Sequence, residues 1–286
     1  MARILVLGVT GMLGNAVFRV FSADAEHETW GTLRGAGALR HFPSQAHEHL
    51  LTSIDVLDQD ALVAVLSRVK PEVVINCVGL IKQLADAKDP LTALPINAML
   101  PHRLARLCEL SGARLIHVST DCVFSGRKGG YLESDTSDAE DLYGKSKYIG
   151  ELHDVAHAIT LRTSIIGHEL GSNYALVDWF LSQQGSVKGF TKAIFSGLPT
   201  VELARVMKDF VVPDSGLNGL YHVAAEPIAK FDLLGLIALE YGKQIDIRPG
   251  AELVIDRSLD GSRFREATGY VAPPWPELIR IMNLNR

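Results

Sequence analysis

The chain has 286 residues, 47% of them hydrophobic and 21% charged, with a formal net charge of −5. That size and apolar share suffice for a large core, and the acidic balance offers no basic field for nucleic acid. No apolar run nears the ~20 residues that span a bilayer, and the first residues pass straight into a strand without a secretory leader, so a cytoplasmic protein that binds no membrane is expected.

The run Arg3-Ile4-Leu5-Val6-Leu7 suits a strand buried on both faces. Gly8, Gly11 and Gly14 follow in the spacing G-x-x-G-x-x-G, with Thr10, Met12 and Leu13 inside the loop and an apolar helical stretch running on through Val20. Glycines there allow a tight turn, a close approach of backbone N–H groups to a pyrophosphate, and close packing of helix on strand. The spacing departs from the G-x-G-x-x-G of the standard dinucleotide fingerprint.

A second strand over 27–33 leads to Arg34, 20 residues past Gly14. Chains that bind NAD place an acid near there on the adenosine ribose; a guanidinium suits a 2′-phosphate instead, so NADP(H) is favoured over NAD(H). Asp55 stands near a turn, where it reads as a helix cap. Helical spacing over 60–69 ends before Pro71, which introduces a strand over 73–78. Cys77, Val78 and Gly79 leave that strand beneath the expected cofactor, Gly79 permitting a close approach. Lys82 and Gln83 after it face the cleft or belong to a solvated loop. The helix over 98–111 carries Pro101 near its start, where a missing N–H is tolerated. Asn97 is either its cap or a structural group near the site.

Further strands over 114–119 and 159–165 complete an alternation of strands and helices. It implies an α/β fold, a Rossmann-like doubly wound parallel sheet with helices on both faces. Between those strands lie Tyr143 and Lys147, four residues apart and so on one helix face, where the ammonium can favour the ionised phenol. Beyond 167 the pattern loosens into helices around 173–184, 200–210 and 230–241 and a strand near 219–224. Cys77, Cys108 and Cys122 form neither a metal cluster nor an even disulfide set, and His41, His47 and His49 lack ligand spacing, so free thiols and no metal are expected.

The glycine loop, Ser119-Thr120-Asp121, and the Tyr143/Lys147 pair together resemble the extended short-chain dehydrogenase/reductase superfamily. Within it, the segment Val118-Ser119-Thr120-Asp121-Cys122-Val123-Phe124-Ser125-Gly126 is similar to that of the dTDP-4-dehydrorhamnose reductases, and Leu161-Arg162-Thr163-Ser164-Ile165-Ile166-Gly167 and Gly197-Leu198-Pro199-Thr200 fit the same group. The resemblance implies a dinucleotide-binding domain over 1–166, with segments near 200–224 returning to it, and a smaller substrate lobe over 167–286. It implies reduction of the 4-keto group of a nucleotide-diphospho-deoxyhexose in deoxysugar or cell-surface polysaccharide biosynthesis, and leaves a homodimer open.

In the family pattern Tyr143 gives the proton, Lys147 tunes it and holds the nicotinamide ribose, and Thr120 hydrogen-bonds the carbonyl. Ser119, Arg162, Thr163 and Ser164 fall among the cofactor contacts, and Asp55 stands where the adenine is often met. Val123, Phe124 and Arg257 fall on the substrate side. Arg257, with Arg263 and Arg265, is a partner for a diphosphate or lies on the solvent side of a helix capped by Ser262 and closed by Gly269. Cys122 stands where 4,6-dehydratases carry a Glu and where GDP-fucose synthases use a Cys with a later His, here His168. A thiolate there could abstract a proton beside the ketone. The readings are thus a simple reductase, an epimerase/reductase using Cys122 and His168, and a non-catalytic NADP-binding regulatory subunit.

Overall fold

The computed structural model describes residues 1–80 and 88–286. Its first strand, β1 (Ala2–Leu7), sends Ile4 and Val6 into one apolar layer and Leu5 and Leu7 into the opposite one. This is the two-residue alternation of a strand covered on both sides, and it explains why the run is continuously apolar. The chain passes through the glycine loop into α1 (Met12–Ser22) and β2 (His27–Thr32). Two 3₁₀ turns, Ala36–His41 and Ser44–His49, and the two-residue β3 (Leu50–Leu51) follow. These three have no counterpart among the expected elements, being too short for a periodic signal.

α2 (Gln59–Val69) is capped by Asp58, whose carboxylate accepts from the amides of Asp60 (2.9 Å) and Ala61 (3.2 Å). Asp55 is therefore not the cap; it closes the preceding turn by accepting from Leu57 N at 2.9 Å. β4 (Val73–Asn76) stops two residues before the expected end, because the Asn76 side chain takes the amide of Val78 at 3.1 Å and turns the chain out of the sheet. α3 (Pro90–Ala93) runs through a π-helical turn over Leu94–Met99 into α4 (Leu100–Ser111). Next come β5 (Arg114–Thr120), α5 (Leu142–Ile149), β6 (Ala158–Thr163), β7 (Ile165–Ile166) and α6 (Leu176–Ser182).

After β8 (Ser186–Phe190), β9 (Ala193–Phe195), β10 (Leu198–Pro199) and α7 (Thr200–Val206), the strand β11 (Gly219–His222) joins the main sheet beside β6. β12 (Ile228–Ala229), α8 (Lys230–Glu240), β13 (Asp246–Gly250), β14 (Ile255–Asp256), α9 (Ser262–Thr268) and α10 (Trp275–Leu284) complete the chain. α9 closes on Gly269 as expected, but its cap is Gly261, and the Ser262 amide is held by the Asp260 carboxylate at 2.7 Å.

The main sheet has seven strands in the order β11-β6-β5-β4-β1-β2-β3, and every neighbouring pair is parallel. This is the doubly wound α/β order, extended by one strand. It reverses direction between β1 and β4, and ligands of such sheets bind at the carboxyl ends of the strands flanking that point. Smaller sheets pair β8 with β13, and β9 with β12 and β14. Among the described residues no helix is long and apolar enough to cross a membrane.

Candidate active site

A cleft of about 920 Å³ opens at the switch point. Thr10 to Leu13, Asn76 to Leu80, Val118 to Cys122, Tyr143, Lys147 and Thr163 to Ile166 line it, together with Glu169 to Ser172, Ile194, Phe195, Lys230, Leu253, Ile255 and Arg257.

The three loop glycines do three different jobs. Gly8 has a φ of +82°, a left-handed conformation that side chains resist. A Cβ on Gly14 would collide with the Gly8 carbonyl oxygen and stand 2.8 Å from its carbon, so Gly14 lets α1 lie against the loop. Gly11 is different, since its nearest neighbour would be the Gly8 oxygen at 3.5 Å, an ordinary contact. Nothing within the chain demands glycine there, while Gly11 faces the cleft as the N-cap of α1. A helix start with free N–H groups and no acid in its first turn fits a dinucleotide's pyrophosphate.

The reactive residues are assembled by α5. Asp141 caps it, accepting from Gly144 N at 2.8 Å. A Cβ on Gly144 would collide with the Cys122 carbonyl oxygen, so the glycine lets the first turn press against the turn at 121–123. That contact brings Tyr143 beside Cys122 and within hydrogen-bonding reach of the Thr120 hydroxyl. Burial raises the Tyr143 phenol above its ordinary range, and the charges of Cys122, Asp121 and Asp141 add to the effect against the Thr120 bond.

Lys147 does not act as the four-residue spacing suggests. Its ammonium donates to Val118 O at 2.7 Å, and burial brings it down to about 8 against the pull of Glu151 and Cys77. The phenol is thus not held ionised by the lysine; it is kept in its protonated, proton-giving form. Burial also pushes the Cys77 thiol up to about 12. None of Cys77, Cys108 and Cys122 is in a disulfide, and no metal-binding group of acids, histidines and cysteines occurs among the described residues. Asn97, in the π-helical turn, accepts from Leu80 N at 3.0 Å and donates to Ser146 Oγ at 3.3 Å. It ties the exit of β4 to α5, a framework role and not a cap.

Several expected contacts lie elsewhere. Arg162 is buried, paired in bidentate fashion with Glu151 (2.9 and 2.6 Å) and bonded to His222 (2.8 Å), so its guanidinium is committed to the core and cannot also hold a cofactor. Ser119 lines the cleft, but its hydroxyl donates to Glu151 at 2.6 Å. The Val123 and Phe124 side chains are fully buried, Phe124 stacking on Tyr131 at 4.0 Å, and neither reaches a substrate. His168 is held between Asp178 (2.7 Å) and the Tyr241 hydroxyl (2.9 Å); its neighbours Ile166 and Glu169 line the cleft, but His168 itself does not. Arg34 and Asp55 are exposed and lie outside that lining. Arg257 does line it, its Nε donating to Phe124 O at 2.7 Å. Lys82 and Gln83 fall outside the described residues. Arg40, His41 and Lys230 line the cleft without any motif to announce them.

A doubly wound sheet with a glycine loop at its switch point and a Thr120, Tyr143 and Lys147 constellation lining the same cleft defines an oxidoreductase of the extended short-chain dehydrogenase/reductase class. The family model described as "RmlD substrate binding domain" matches residues 2–252, and the chain belongs to that family. It is similar to the methionine adenosyltransferase 2 subunit beta of Danio rerio, 31% identical over 249 residues that cover 82% of this chain and 73% of the relative. It is also similar to the dTDP-4-dehydrorhamnose reductase of Aggregatibacter actinomycetemcomitans, 26% identical over 236 residues, 79% of this chain and 74% of that one. Among solved structures, the dTDP-4-dehydrorhamnose reductase of Bacillus anthracis, in complex with NADP, superposes with a TM-score of 0.81 at 21% identity, covering 100% of this chain and 98% of the other.

Proposed function

We propose that this chain reduces the 4-keto group of a nucleotide-diphospho-deoxyhexose with NADPH, in deoxysugar or cell-surface polysaccharide biosynthesis. The observation that carries the reading is the Tyr143 phenol beside the Thr120 hydroxyl in the cleft that the glycine loop also lines. A reduced nicotinamide, when bound, supplies the hydride. Tyr143 gives its proton to the ketone oxygen as negative charge develops there, and Thr120 donates a hydrogen bond to the same oxygen. Lys147 holds the nicotinamide ribose, and the N–H groups at the start of α1 hold the pyrophosphate. Lys230 and Arg257, which also line the cleft, meet the substrate's diphosphate. Arg34, outside the cleft lining but exposed two residues past the carboxyl end of β2, selects the 2′-phosphate at the cofactor's outer end.

A second reading is a non-catalytic NADP-binding subunit, favoured by the curated relatives that carry the name methionine adenosyltransferase 2 subunit beta. The epimerase/reductase reading is less favoured, because His168, its intended second base, is not among the residues that line the cleft. Cofactor absorbance in a panel of 4-keto nucleotide sugars tests the proposal. Consumption of NADPH by the wild type, lost in Tyr143→Phe with cofactor binding intact, supports the reductase. Binding of NADPH without turnover on any of the sugars supports the subunit.

A further inference from the structure

We propose that Glu151 is a positioning residue for Lys147, the counter-charge that keeps the lysine cationic in a buried setting and joins α5 to the end of β5. The geometry starts from spacing, because Tyr143, Lys147 and Glu151 recur every four residues and so follow one line along and just past α5. Lys147 is fastened to Val118 O, and the next residue, Ser119, donates to Glu151 Oε1 at 2.6 Å. The carboxylate and the ammonium are therefore anchored at consecutive positions of β5, immediately before Thr120. Glu151 is 3% exposed and Lys147 6% exposed. An unpaired charge so buried would be strongly disfavoured.

The groups around the pair are few. Lys147 is faced by Cys77 and by Glu151, and its charge bears in turn on His117 of β5, whose own protonation burial suppresses. Asn76 of β4 bonds His117 at 3.2 Å, and Asn97 of the π-helical turn stands beside Gly79. Glu151 is faced by Arg162 of β6, by Ser119, and by the half-exposed His153 at 3.5 Å, with His222 of β11 behind Arg162. Burial works against the Glu151 carboxylate, but hydrogen bonds from Arg162, His153 and Ser119 and the Arg162 charge hold it below the usual range. Of the groups that act on Lys147, Glu151 is the foremost to favour the ammonium. Arg162 completes the unit by stacking its guanidinium 4.9 Å over Phe124, whose carbonyl receives Arg257. The buried Glu151–Arg162 ion pair is thus fastened through Ser119 to the strand end that carries Thr120, one residue from the carbonyl that holds Lys147.

The inference rests on placing Lys147 in the site proposed above, but its test needs neither cofactor nor turnover. Competitive labelling with acetic anhydride, read residue by residue by mass spectrometry across pH, reports the titration of Lys147 in the free protein. In the wild type the amine should titrate near 8. Glu151→Gln keeps the shape and removes the charge, and should lower that midpoint by at least about one pH unit, a tenfold change in proton affinity. The double variant Glu151→Gln/Arg162→Met takes both charges out of the core and should show the same downward move if the single substitution unfolds the chain. A labelling profile that superposes on the wild type's, in a variant that melts at a lower temperature, makes Glu151 a structural group alone and overturns the proposal. An upward move overturns it equally. A chain that binds and reduces nothing would end the functional reading while leaving this result intact.

Discussion

Gly11 and Gly14 are both loop glycines by sequence, yet alanine should affect them in opposite ways. At Gly14 the added Cβ meets backbone: the Gly8 carbonyl, with its carbon at 2.8 Å, and Val9 Cα at 3.1 Å. Backbone cannot swing aside as a flexible side chain can, and overpacking of this kind costs about 1–3 kcal/mol. At roughly 2–4 °C per kcal/mol for a chain of this length, the Tm should fall by about 2–12 °C. At Gly11 the nearest atom is 3.5 Å away and the backbone is extended, with φ −74° and ψ 157°, which alanine adopts freely. Loss of glycine from a helix N-cap and gain from a stiffer unfolded chain, each below about 1 kcal/mol, nearly offset one another.

Gly11→Ala should therefore melt within about 2 °C of the wild type. Its methyl, however, stands on the cleft surface where the pyrophosphate is expected. The assay is a thermal melt of wild type and both variants, with and without NADPH. The wild type should gain about 2.7 kcal/mol of stability at a hundredfold excess of cofactor over Kd, and Gly11→Ala should gain little or nothing. A Gly11→Ala protein that melts like the wild type and keeps the full NADPH-dependent rise would refute the assignment of this loop as the cofactor cradle. A Gly14→Ala protein as stable as the wild type would refute the packing argument.

Three further outcomes follow from the site. Tyr143→Phe should leave the Tm unchanged and lower kcat by about 10²–10⁴, the usual worth of a general acid, and unaltered turnover would remove the phenol from the reaction. Between pH 8 and 10.5 the unfolded chain binds a proton at Lys147 that the folded chain has released, so the lysine's contribution to stability rises with pH across that window. Relative to Lys147→Met, the wild type should gain up to about 3 kcal/mol there in denaturant titrations, and a flat difference would contradict the buried, lowered amine. Arg34→Ala should weaken NADPH by about 1.5–3 kcal/mol while leaving NADH unchanged, as separate Kd measurements would show; equal losses for both would shift the 2′-phosphate to Arg40 or His41.

The parts of the fold that could be read from the sequence are those with a physical period or a steric demand. Runs such as Ile4 to Leu7 and Val73 to Ile75 are buried on both faces, so they are apolar throughout and announce themselves. Gly8 and Gly14 answer steric needs within the chain, and Tyr143 and Lys147 share one helix. The misreadings came from contacts that spacing does not reveal. Arg162 looks like a cationic strand end until Glu151, on the connection before its strand, folds onto it. His168 is occupied by Tyr241, 73 residues away. Phe124 sits in a segment of catalytic appearance, yet its ring is captured by Tyr131. Lys230 reaches the cleft only because α8 begins there, and no local pattern marks it.

The central claim is ketone reduction at this site, and isotope transfer tests it directly. The protein would be incubated with dTDP-4-dehydrorhamnose and NADPH carrying deuterium at the transferable position of the nicotinamide, and the product examined by mass spectrometry and NMR. The account predicts one deuterium at C4 of the sugar from the labelled cofactor, and no solvent deuterium on any ring carbon when the unlabelled reaction is run in D₂O. A product with solvent deuterium beside C4, absent when Cys122→Ser is used, would restore the epimerase. NADPH bound with no label transferred to this or any related 4-keto sugar would contradict the reductase and leave a binding subunit.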